Sequence, residues 1–183
     1  MKSLKLMGLL LSSALLFGCA SGAKMESMIA TEQGGLTYSD ALKKEVSVEK
    51  VNGGESTNPL WTSEISNDAF SGALKKSLEN EELLSDSGRY QLQATLLQVE
   101  QPLFGLDLKV VTHVEYLLID KDTNKVVLQE TGIAPHTATM SDAFAAIQRL
   151  RIANEGSGRK NIEGLLVRLS SLNIPVGAVE LAK

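Results

Sequence analysis

The stretch YQLQATLLQVEQPLFGLDLKVVTHVEYLLIDKDTNKVVLQETGI, residues 90–133, decides the fold. In its first part Tyr90, Leu92, Ala94 and Leu96 alternate with Gln91, Gln93, Thr95 and Leu97. That period of two is a strand with one apolar and one mostly polar face. Residues 106–119 repeat the device on a longer strand. Leu106, Leu108, Val110, Val114, Tyr116 and Leu118 take one face, with Asp107, Lys109, His113 and Glu115 on the other. The polar run 120–125 then leads into 126–133, so these two strands read as a hairpin.

Working outward, residues 45–51 open with valine alternating against polar residues and stop at Asn52-Gly53-Gly54, a strand followed by a turn. Ile65, Ala69, Phe70, Ala73, Leu74, Ser77 and Leu78 then recur at steps of three and four, the spacing of a helix, with Asn58-Pro59 or Thr62-Ser63 as its opening. Past the hairpin, Phe144, Ile147, Leu150, Asn154, Ile162, Leu165, Leu166 and Leu169 keep a helical step, with Ser141 as the expected cap. Gly156-Ser157-Gly158 interrupts that run, but the apolar step resumes in phase, which predicts one long helix packed closely on a neighbour. The expected fold is α+β: a two-layer domain over residues 43–183, with a mainly antiparallel sheet of about four strands against two helices, in the order β-α-β-β-β-α.

The other end of the chain is an address. Lys2 and Lys5 precede an apolar run from Leu6 to Phe17, and the only cysteine, Cys19, follows Gly18. A charged start, a short apolar run and a small residue before the cut make a secretory signal; a transmembrane helix needs roughly 20 apolar residues. Leu16-Phe17-Gly18-Cys19 resembles the bacterial lipobox, with Phe17 departing from the small residue usual at its position. The resemblance implies a lipoprotein signal peptide over residues 1–18 and acylation of Cys19. Ala20, where an aspartate would hold many such proteins at the inner membrane, implies an outer-membrane, periplasm-facing location. Residues 19–42 are small and polar without a sustained period, and are expected to be a flexible tether behind the lipidated cysteine. In lipobox and element order the chain resembles small periplasmic outer-membrane lipoproteins of the YajG or auxiliary type. Nothing in that resemblance transfers a site.

Cleavage before Cys19 removes two of the 18 basic residues and none of the 22 acidic ones, leaving a net charge of −6. That balance argues against nucleic-acid binding and against attraction to anionic headgroups, so the expected membrane contact is the anchor alone. No thiol follows Cys19 and no His-x-x-x-His spacing occurs, so neither metal site nor cofactor is expected. Ser157 lacks the Gly-x-Ser-x-Gly elbow of a nucleophile. His113 with Glu115 is a conceivable acid/base pair on an exposed strand face, and His136 reads as a loop residue after Pro135.

Two features remain as candidate sites. Arg149, Arg151 and Arg159 lie in the densest basic region and are candidates for an anion or ligand site; the plainer reading is a solvated helix face with Glu155 and Glu163 as intrahelical partners. Leu103 and Phe104, in an apolar loop between strands, and Trp61, in another connection, either fold inward as core lids or stand exposed as a partner patch. The leading functional reading is a lipid-anchored binding or assembly module with an envelope protein partner. Its rivals are an envelope enzyme acting on a glycan or acyl substrate through His113, Glu115 and the arginines, and a carrier of a small anionic or lipidic ligand between sheet and helices.

Overall fold

The computed structural model describes residues 21–31, 34–58 and 62–174. A short helix α1 (Met25–Met28) precedes strand β1 (Val46–Asn52) and helix α2 (Asn67–Asn80). Strands β2 (Tyr90–Glu100), β3 (Leu108–Asp120) and β4 (Lys125–Ala138) follow, then helix α3 (Ala146–Ser170). The sheet order is β1-β2-β3-β4. β1 and β2 are parallel, bridged by α2, and the other two pairs are antiparallel. This is the expected α+β sheet packed against helices, with a third, short helix added.

Alternation carries the sheet. Along β3 the residues from Leu108 to Asp120 are buried at every second position, and Val110, Thr112, Val114, Tyr116 and Leu118 are fully so. Those side chains meet α3, whereas His113 and Glu115 point to the open face. β4 is an edge strand and runs on to Ala138, which puts Pro135 and His136 inside it, paired with Val111 and Val110; His136 is not a loop residue. Proline is tolerated there because an edge strand has one side free of ladder bonds. Leu106, expected at the start of β3, lies before it and is exposed.

Both long helices begin later than their apolar patterns suggest. Ser66 caps α2, its hydroxyl accepting from the Ala69 amide at 3.2 Å, so neither Asn58-Pro59 nor Thr62-Ser63 opens the helix. α3 starts after Ala145, which makes no side-chain cap. Ser141 and Asp142 serve a turn instead: the Asp142 carboxylate accepts from the amide and hydroxyl of Thr139, at 2.7 and 2.9 Å. Phe144 is left outside the helix, exposed. The Gly-Ser-Gly interruption sits inside one unbroken helix, because each residue meets a neighbour. A Cβ on Gly156 would strike the His136 ring, and one on Gly158 would come within 2.8 Å of the Met28 sulfur. Between them Ser157 donates to the Ala134 carbonyl at 2.7 Å and accepts from the Thr112 amide at 3.0 Å, pinning α3 across β3 and β4.

The expected tether is overturned from residue 21 onward. Ala23, Met28, Ala30, Tyr38 and Leu42 are core residues. Met25 lies over Gly72 of α2 and Met28 against Gly158 of α3, so α1 is a strap seated between the two long helices. Its amides are taken up from both sides: Lys24 donates to Glu155 at 3.0 Å and Ala30 to the Ser77 hydroxyl at 2.9 Å. Unbranched methionines fill the narrow slots left by missing Cβ atoms, which is why small residues without a period can still be core.

Candidate functional site: an apolar end beside the chain entry

The expected signal and acylation residues, Cys19 included, and Trp61 lie outside the described residues. Leu103 and Phe104 are described and stand out from the surface, 96% and 88% exposed, so they are not core lids. Two more apolar side chains share this end of the molecule: Leu106 at 72% and Phe144 at 88% exposure. The β2–β3 loop and the first turns of α3 enclose a groove of about 230 Å³, lined by Pro102, Leu103, Phe104, Ile147 and Leu150 among others. Leu108 and Leu150, which line it, belong to a small second core with Val110, Ala138 and Ala153.

Arg149 fastens the two loops together. It is 3% exposed, donates from Nη1 to the carbonyls of Ala143 (2.9 Å) and Phe144 (2.6 Å), and reaches the Gly105 carbonyl from Nη2 at 3.4 Å. Its guanidinium therefore faces inward, spent on carbonyl oxygens that no helix or strand satisfies. Arg151 pairs with Glu155 at 3.4 Å and donates to the Ser21 hydroxyl at 2.7 Å, while Arg159 lies 3.9 Å from Glu163. The intrahelical partners expected for a plain helix face are present, and the three arginines do not converge on one point.

His113 also finds a different partner from the one expected. Its Nε2 lies 2.9 Å from Glu100 of β2, while Glu115 accepts from Gln129 at 3.3 Å. Both groups are on the open face of the sheet, opposite α3 and its arginines, so the sheet separates the residues of the enzyme reading. His136, under Gly156, is held below its ordinary value of 6.5, first by burial and then by the cations of Lys160 and Arg159. At this end the sequence reading assigned Leu106 to the strand and Phe144 to the helix; four large apolar side chains standing free on linked loops were visible only once the loops were placed.

No protein-family model matches the chain, and no curated protein matches its sequence. Solved structures do resemble it. The class they define is a fold: an α+β domain of this size, shared at 11–12% identity. A Xanthomonas campestris protein of the family DUF330 superposes with a TM-score of 0.53 at 11% identity, over 73% of this chain and 89% of that one. A hypothetical protein from Chlamydia trachomatis gives 0.52 at 12% identity, over 69% and 95%. A Caulobacter crescentus protein provisionally named a lipoprotein gives 0.50 at 12% identity, over 71% and 91%. Among the described residues no helix is long and apolar enough to cross a membrane.

Proposed function

We propose that the protein is a lipid-anchored lipoprotein of the bacterial cell envelope, held at the outer membrane by acylated Cys19, and that it acts as a binding or assembly module and not through chemistry. The observation that carries the reading is the cluster of Leu103, Phe104, Leu106 and Phe144, exposed on loops that the buried Arg149 ties together. Apolar side chains grouped this way, over a closed core, are a docking surface. The lipobox resemblance supplies the address, and the fold shared with a Caulobacter protein carrying a lipoprotein name is in keeping with it. The enzyme reading loses support because His113 and the arginines face opposite sides of the sheet. The carrier reading loses support because the groove, at about 230 Å³, and the pocket of about 270 Å³ beside Glu64 and Gln101 both fall short of the roughly 300–1,000 Å³ that encloses a small ligand.

The test is Cys19→Ser in the full chain. Loss of a metabolic lipid label, with an unprocessed or released protein, is the expected result. Normal membrane fractionation with an unchanged label would remove the anchor. Crosslinking from native membranes then identifies what the module docks on.

A further inference from the structure

We propose that the apolar end is a second membrane contact, with Leu103, Phe104, Leu106 and Phe144 seated in the interfacial zone of the bilayer that holds Cys19. The proposal rests on the lipid-anchor reading and adds to it an orientation and an occupant.

The leash is the argument. Two residues of chain span at most about 7 Å, so Ser21 lies within that distance of the acylated residue, at headgroup level. Ser21 is not free to swing. Its hydroxyl accepts from Arg151 at 2.7 Å and its carbonyl from the Ser63 hydroxyl at 2.9 Å, while the Ala23 amide two residues on donates to the Glu64 carbonyl at 2.9 Å. Ser63 in turn accepts, through its carbonyl, from the Gln101 side chain at 3.0 Å. Gln101 is the residue before Pro102-Leu103-Phe104. On α3, Arg151 lies one turn beyond Ile147, on the same face, and Ile147 lines the groove beside Phe104. Two hydrogen-bonded steps along the loops and one turn along the helix thus separate the point of chain entry from the exposed apolar cluster.

A domain tied this closely cannot stand off from its membrane, and the end it turns toward the lipid is the one bearing two phenylalanines and two leucines. Interfacial side chains sink roughly 5–10 Å into the boundary between headgroups and acyl chains, a depth these loops can supply without moving the core. Attraction to anionic lipid plays no part, since Asp107 flanks the cluster as well as Lys109 and the mature chain is acidic. The contact is apolar and holds on zwitterionic lipid.

The experiment uses the full acylated protein with Trp61→Phe and Phe104→Trp, in phosphatidylcholine vesicles brominated on the upper acyl carbons. A second variant carries Lys125→Trp in place of Phe104→Trp, at the first residue of β4, which pairs with Asp120 at the far end of β3, about 40 Å away along that strand. Quenching at position 104 by roughly twofold or more, with none at 125, is the expected result. Protein that carries its lipid label but shows no quenching at 104 overturns the contact and leaves the anchor standing. Protein without the label overturns both. A photocrosslinker at 104 that captures a protein instead of lipid in native membranes overturns the assignment of the bilayer as occupant. Thermal midpoints matching that of the parent establish that each variant is folded.

Discussion

His136 shows how a single side chain ties stability to pH. It sits in β4 beneath Gly156 of α3, with Lys160 and Arg159 on one side and the weaker, opposing pull of Asp142 on the other. Burial and the two cations disfavour its charged form, so the folded protein resists a proton that the unfolded chain accepts near 6.5. The stabilisation is complete above that value and is lost as pH falls through the lower, folded one. Between pH 7 and 5 the thermal midpoint is expected to fall in the parent protein and to fall less in His136→Gln, whatever the variant's stability at pH 7; equal slopes would remove His136 as the cause. Asp120 and Asp142, both held below the usual carboxylate range by their hydrogen bonds, add losses only at more acid pH. Arg149 teaches the limit of reading at this scale. In the sequence it belongs to a basic cluster, and its true partners, three carbonyls on two loops, have no side-chain signature to be read.

At the scale of elements, the glycines of α3 separate propensity from packing. Gly164 faces open space, so Gly164→Ala is expected to raise stability by up to about 1 kcal/mol through helix propensity alone. Gly156→Ala gains the same propensity but drives a methyl into the His136 ring, and overpacking of that kind costs about 1–3 kcal/mol, so it is expected to destabilise. Gly158→Ala crowds the end of flexible Met28, with Ile65 at ordinary contact distance beside it, and falls between the two. Urea midpoints that do not follow this order would refute the packing account. The helix itself was legible because Ile162, Leu165 and Leu169 continue the phase set by Ile147 and Leu150. The strands were legible for the same kind of reason, a period of two along Tyr90–Glu100 and Leu108–Asp120. The strap was not. Four helical residues carry no period, and the signal that Met25 and Met28 are core resides in Gly72 and Gly158, far away in sequence.

For the whole molecule, the apolar end costs the fold little. Because Leu103 and Phe104 are almost fully exposed, replacing both with serine is expected to change stability by no more than about 0.5 kcal/mol while weakening the proposed docking; a large drop in the thermal midpoint would mean that the loop is buried after all. The chain's exposed loop residues were legible as apolar, but their grouping with Phe144 depended on Arg149 drawing two loops together. The strap has a mechanical meaning as well. A pull on the proposed anchor would enter the domain at Ser21 and run along a segment bonded to Glu64, Glu155 and Ser77, on partners from the α2 entry, α3 and α2 in succession. Those partners lie on the two long helices and the segment before α2, not on the sheet, so under tension the strap is expected to slip out of its glycine slots before the strands part. A membrane holding that anchor would then tug on the helices first, and the four strands behind them would stay slack.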